Sequence, residues 1–400
     1  MQSVISCYSA ELVFLLAGSD IISMAWEATG VDQRIAARSL ALVGTSVKQQ
    51  ILVWFIIATL LSSVLPNTVV AAVMCSIAMS MLKAVGEGDV KNSKSASLIL
   101  LAIVYGANNG GMLTPLGGAM NLVTVSYIEG FTGTEFLYSD WVVRMLPFTL
   151  LATAVTALFL VGGDCGKKHF DCSREHFREL CRSFPKLDRA GKASMVIFFA
   201  AAILAFTRGL YQQLLPALKP GYIFLIGGLL MFFLKDEHGE AVVTWEKAEK
   251  NLMWGLFFLF SGGTALGALV NGSGAADTLA EIISGINFHS EFTLIIAIVT
   301  LNVILSDVVN NTACAAVTIP IVISIAQGLG LPVIPYLWIA TVSYNLSFTL
   351  PTSIRSIPVG YGLDTKFMFR KGIAITACMV VLVSAMGWLF VRYWPAFAAL

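Results

Sequence analysis

Charged side chains are scarce in this chain. Asp, Glu, Lys and Arg make up 12% of its 400 residues, about half the ~25% usual in soluble domains. With 57% hydrophobic residues and a mean hydropathy of +0.81, that scarcity excludes an ordinary soluble globular protein and places the chain in a bilayer. An excess of either charge is missing too. The net charge is +1 and no basic stretch carries interleaved aromatics, so nucleic acid is not an expected partner. No secretory signal with a small-residue cleavage site is visible, and the first apolar segment reads as a membrane helix.

Histidine is rarer still. The four present, His169, His176, His238 and His289, all fall between the apolar segments. Without a histidine, cysteine or acid-pair arrangement inside those segments, an intramembrane enzyme is not expected, nor is a cofactor. The seven cysteines are odd in number, and Cys7, Cys75, Cys314 and Cys378 lie in or beside apolar segments, which excludes a disulfide framework. Cys165, Cys172 and Cys181 share one loop with His169 and His176, but at no common zinc spacing. Reduced cytosolic thiols are expected there.

What the chain does contain is one polar signal written twice. Residues 61–73, around Asn67-Thr68, align without gaps on residues 305–317, around Asn311-Thr312, with eight of thirteen positions identical. The same offset of 244 pairs Gly18 with Gly262 and Gly30 with Gly274, so the duplication is long. Uninterrupted spans of about 20 apolar residues are predicted at 10–29, 141–162, 193–212, 221–235, 252–271 and 372–393. Segments 50–82 and 292–326 are instead interrupted by the Asn-Thr motifs. Segments 96–129 and 336–361 are broken by Gly/Pro-rich polar stretches at 106–121 and 347–358. A break at membrane depth is tolerated only where freed backbone groups are buried in protein or line a cavity. Matching interruptions in two halves point to a transporter site.

Charge sets the topology. If 50–82 and 292–326 are re-entrant hairpins, loops 30–48, 82–95, 163–192, 235–250 and 362–371 fall on one side with 20 of the 25 Lys and Arg residues. Loops 130–140, 272–291 and 327–335 fall on the other with none. The expected fold is therefore an all-α polytopic membrane protein of inverted-repeat type, with two re-entrant helix hairpins and two discontinuous helices. The first repeat occupies 1–162, a basic cytoplasmic loop 163–192, and the second repeat 193–400. Counterparts of 193–212 and 221–235 would precede residue 1, so the first repeat is expected to be incomplete by about 40 residues.

Asn and Thr are good helix N-caps, and the N-terminal end of a half-helix presents unpaired N–H groups and positive partial charge. Two such ends meeting near the midplane make an anion site without a fixed charge. Unwound carbonyls beside them offer hard oxygen ligands to a small cation.

These residues resemble the divalent-anion/sodium symporter (DASS) family of the ion-transporter superfamily over nearly the whole chain. The resemblance is carried by residues 28–36 after the first helix, the two Asn-Thr hairpins, and Thr114-Pro115-Leu116-Gly117 with Asn121. It implies a homodimer whose protomers each join a scaffold domain to a transport domain that moves bodily across the membrane. It also implies cation (Na+) sites at Ser62, Asn67 and Gly117 and at Ser306, Asn311 and Ser353. The anionic substrate, a di- or tricarboxylate, sulfate or similar oxyanion, would meet Asn67, Thr68, Gly118, Asn310, Asn311, Thr312, Ile354 and Arg355. A bacterial-type inner membrane is the expected location. An ion exchanger, an arsenite-type carrier and a truncated non-transporting homologue are the alternatives.

The chain departs from the family pattern where Pro66 and Asn310 replace the Ser of Ser-Asn-Thr, where Gly118 replaces a Thr, and where residues 354–357 replace Thr-Pro-Pro-Asn. The cation half is thus better kept than the anion half. Arg355 lies at a depth where charge costs at least ~2.5 kcal/mol. It is expected to meet a substrate anion, to replace one sodium, to snorkel to the interface, or to pair with Asp307. Asp307 has the matching options of cation ligand, proton site or ion pair. Asp20 is expected to serve helix packing. Asn108, Asn109 and Asn121 are expected either to line the pocket or to bridge helices.

Overall fold

The structure, a computed structural model, describes residues 11–31, 46–166, 168–170, 187–252 and 290–398, together with Glu179, Trp254 and Phe258. Among these, regular structure is helical apart from two isolated bridges. The principal helices are α1 (Glu11–Thr29), α2 (Val47–Ser62), α3 (Asn67–Ala84), α4 (Lys94–Gly111), α5 (Ala119–Thr132) and α6 (Tyr138–Val161). They continue with α7 (Arg189–Phe206), α8 (Pro220–Met231), α9 (Glu291–Val308), α10 (Asn311–Gly328), α11 (Val333–Tyr344) and α12 (Thr365–Tyr393). Of the described helices, α6, α7, α9, α10 and α12 are long and apolar enough to cross a membrane. Their outward faces stay apolar, with Leu150, Leu158, Val196, Ile304 and Val381 all exposed, as a hydrocarbon solvent requires. Most of the predicted span 252–271, with Gly262, Gly274, Cys7, Cys172, Cys181, His176 and His289, lies outside the described residues.

Each interruption is a break between helices. Between α2 and α3 the chain turns through 63–66, and Pro66, lacking an N–H, sits at the N-cap with φ −53° and ψ 128°, where its missing donor costs little. Between α9 and α10 it turns at Val309-Asn310, and Asn310 Oδ1 accepts from Ala313 N at 2.8 Å. α4 ends at Gly111, a 3-10 turn follows over Pro115–Gly117, and α5 begins at Ala119. α11 ends at Tyr344, a 3-10 turn spans Ser353–Arg355, and a short helix runs over Ser356–Gly360.

Both turns are tied to both breaks by the same contact. Thr114 donates its hydroxyl to the Ser63 carbonyl, and Thr352 donates its own to the Asp307 carbonyl at 2.8 Å. Ser63 and Asp307 occupy the same place in the repeat. α2 and α4 lie backbone to backbone because α4 offers glycine: a Cβ on Gly106 would come within 2.4 Å of Phe55 O, and one on Gly110 within 2.0 Å of Thr59 O. Small residues permit such close approach between membrane helices. The two halves then cross over. α10 packs on α5, and α3 touches the Ser353–Arg355 turn, while α1 rests on α7 and α8.

Candidate functional site

Three helix N-termini open onto one cavity of ≈ 360 Å³. Pro66, Asn67 and Thr68 come from the start of α3, Asn310, Asn311 and Thr312 from the start of α10, and Gly118, Ala119 and Met120 from the start of α5. Ser353 completes the wall. Its φ of 52° makes it a non-glycine residue in the left-handed region, a strained conformation that persists where surrounding contacts enforce it. Neither α3 nor α5 has a side-chain cap, so their first N–H groups remain available to a guest. Among the described residues, no basic side chain lines the cavity and Asp20 is the one charged residue on its wall. Negative charge here would be held by backbone dipoles.

The first predicted cation cluster comes together beside this cavity. A Cβ on Gly117 would lie 2.4 Å from the Gly111 carbonyl oxygen and 2.7 Å from the Ser62 carbonyl oxygen, so only glycine lets those oxygens approach. The Asn67 amide lies against Gly111, with Nδ2 at 3.6 Å from a Cβ built there. Ser62 is fully buried and donates its hydroxyl to Ala107 O at 2.7 Å. Hard, neutral oxygens in this density suit a small monovalent cation.

The second cluster differs. Ser306 Oγ donates to Asn311 Oδ1 at 2.9 Å and also contacts the Tyr344 carbonyl at 2.5 Å. Ser353, the third residue expected there, faces the cavity instead. Arg355 is fully buried and is not on the cavity wall. Its guanidinium pairs with Asp307 at 3.4 Å and donates to the carbonyls of Leu350 at 2.7 Å and Ser347 at 3.1 Å. It also donates to Thr352 Oγ1 at 2.6 Å and to Ser347 Oγ. Ile354, likewise buried, is absent from the wall. Of the eight residues expected to meet substrate, the cavity gathers six and leaves out Ile354 and Arg355. The reason is local. The left-handed turn at Ser353 directs that residue to the cavity and its two successors into the protein.

Asn108, Asn109 and Asn121 are fully buried and bridge helices. Asn311 Nδ2 donates to Asn108 Oδ1 at 3.1 Å, and Asn108 Nδ2 donates to Asn345 O at 2.6 Å. Asn345 Nδ2 in turn donates to Asn121 Oδ1 at 3.2 Å, and Asn109 Nδ2 to Thr156 Oγ1 at 3.0 Å. Asp20, which sequence reasoning assigned to packing, instead stands between the central cavity and a second one of ≈ 430 Å³ that reaches Lys247 and Asn251.

Comparison with known proteins agrees with this geometry. Residues 1–343 match the family model described as citrate transporter. The chain belongs to this family. Together with the sodium-dependent dicarboxylate transporters below, this match bears out the expected kinship with the divalent-anion/sodium symporters, and the protein is a multi-pass membrane transporter and not an enzyme. A sodium-dependent dicarboxylate transporter of Staphylococcus saprophyticus is 25% identical over 401 residues, spanning 96% of this chain and 77% of that one. Its counterpart in Staphylococcus aureus strain USA300 is 26% identical over 404 residues with the same coverage. An uncharacterized transporter of Haemophilus influenzae is 27% identical over 388 residues, covering 94% of this chain and 80% of its own length. The crystal structure of the Alcanivorax borkumensis YdaH transporter superposes with a TM-score of 0.63, at 14% identity, over 98% of this chain and 88% of that one. That likeness concerns the fold alone.

Proposed function

We propose that this citrate-transporter family member is a secondary active transporter that moves a di- or tricarboxylate together with sodium. The observation that carries this reading is the meeting of three helix N-termini at a cavity with no basic side chain among its described wall residues. Such a site binds an anion through dipoles and N–H groups, and it leaves the net charge to be balanced by a co-transported cation. Asn67, Thr68, Gly118, Asn310, Asn311 and Thr312 hold the carboxylates, and Ser62, Asn67 and Gly117 hold a sodium ion. Two relatives named as sodium-dependent dicarboxylate transporters support both the substrate class and the ion.

The helix pairs α2–α3 and α9–α10 act as re-entrant hairpins of an inverted repeat. They travel with α4, α5 and α11 as one transport domain, while α1, α7 and α8 stay with the scaffold. The protein works as a homodimer in a bacterial plasma membrane. The test is uptake of labelled four-carbon dicarboxylate into proteoliposomes, competed by citrate, sulfate and phosphate. Carboxylates are expected to compete. Asn311→Ala, which removes a polar group beside the anion, is expected to cut uptake by about 10- to 100-fold, the loss of one charge-assisted hydrogen bond. If no anion of this panel moves, the reading is wrong.

A further inference from the structure

We propose that the Arg355 guanidinium is a built-in cation at the second cluster, leaving each protomer one exchangeable sodium site at the first hairpin. The inference rests on the proposed function for the first site and departs from the family expectation for the second. The two clusters share a plan. Each has a serine five residues before the hairpin asparagine, Ser62 before Asn67 and Ser306 before Asn311, and each faces a broken helix. They differ in who occupies the oxygens.

At the second cluster Arg355 donates to oxygens that border the expected cation ligands, whose own oxygens are bonded to one another: Asn311 Oδ1 accepts from Ser306 Oγ. Ser347 offers both its carbonyl, at 3.1 Å, and its hydroxyl oxygen, and the Ser306 carbonyl lies 3.4 Å from the same guanidinium. Ser347 Oγ then donates to Asn311 Oδ1 at 3.2 Å. The positive charge is thus one hydroxyl away from the asparagine at the heart of the cluster. A sodium ion entering here would meet a like charge in a dry environment with its ligands already engaged.

Asp307 makes the arrangement permanent. Its carboxylate faces Arg355 at 3.4 Å. It also accepts from the backbone N–H of Thr349 at 3.0 Å and from Thr349 Oγ1 at 2.6 Å. The pair is buried and hydrogen-bonded on both sides, the condition under which a buried ion pair is sustained. At the first cluster the repeat places Ser63 opposite Asp307. The two 3-10 turns, capped by Thr114 and Thr352, place Gly117 opposite Arg355. Neither can carry charge, so the first cluster has no internal cation of this kind.

The experiment counts sodium. Equilibrium binding of radioactive sodium to the purified protein is expected to give about one site per protomer, and sodium activation of uptake a Hill coefficient near ~1, since cooperativity is bounded by the number of sites. Asn67→Ala is expected to abolish that binding. The double variant Arg355→Ala/Asp307→Ser, which removes the buried charge pair and restores the serine found at Ser63, is expected to bind a second ion and to raise the Hill coefficient toward ~2. Two sites in the unaltered protein would overturn the inference while leaving sodium-coupled transport intact. One bound ion without anion flux would do the reverse. If the double variant fails to fold, the count in the unaltered protein still decides.

Discussion

Asp20 puts a carboxylate on the wall of a cavity otherwise suited to negative charge. At an effective dielectric near 20, a unit charge about 15 Å away contributes ~1 kcal/mol. Asp20→Asn is therefore expected to lower the KM for a dicarboxylate by about fivefold, with the larger effect on the more highly charged substrate. Initial-rate uptake across a substrate series checks it; an unchanged KM would mean that Asp20 does not feel the bound anion. The position of Asp20 in the site was not legible beforehand. Asp20, Ser23 and Glu27 recur on α1 at the spacing of one helix face, so a polar face was readable, but not that it looks onto two cavities. Arg355 was half legible. Its depth followed from the apolar residues around Pro351 and Pro358, whereas its direction follows from the left-handed turn at Ser353, which no local pattern announces. That Asn67 and Asn311 begin helices at breaks in apolar runs was legible, because a polar pair repeated in two apolar segments marks an interruption.

Among the helices, the breaks do the positioning, and a threonine secures each one. Thr114→Val removes the donor to the Ser63 carbonyl, and Thr352→Val removes the donor to the Asp307 carbonyl. Each leaves a buried carbonyl short of a partner, a loss of about 1–3 kcal/mol. Both substitutions are expected to lower the thermal midpoint in detergent, Thr352→Val by more, because it also removes an acceptor of the buried Arg355 guanidinium. A large effect at Thr114 with none at Thr352 would show that the halves are not locked alike. The existence of four interruptions was visible in the sequence, from the Asn-Thr motif repeated in two apolar runs and from the Gly/Pro-rich polar stretches at 106–121 and 347–358. The 3-10 turns over Pro115–Gly117 and Ser353–Arg355 were not. Their form depends on the hairpin carbonyls that Thr114 and Thr352 reach across the fold.

Across the molecule, the halves are joined by buried amides running from Asn311 through Asn108 and Asn345 to Asn121. This crossing brings the N-termini of α3 and α10 to one cavity. Duplication could be read from the aligned motifs, and membrane residence from composition. That the start of α5 joins as a third N-terminus depends on long-range packing between α5 and α10, which sequence spacing does not encode. The proposed coupling would run through Asn67, which lines the cavity and lies against Gly111. The decisive measurement is dicarboxylate uptake into proteoliposomes with and without an inward sodium gradient, for the unaltered protein and for Asn67→Ala. Uptake is expected to rise with the gradient and to collapse in the variant. Uptake of equal size without sodium, undiminished by Asn67→Ala, would contradict a sodium-coupled anion site at the first hairpin.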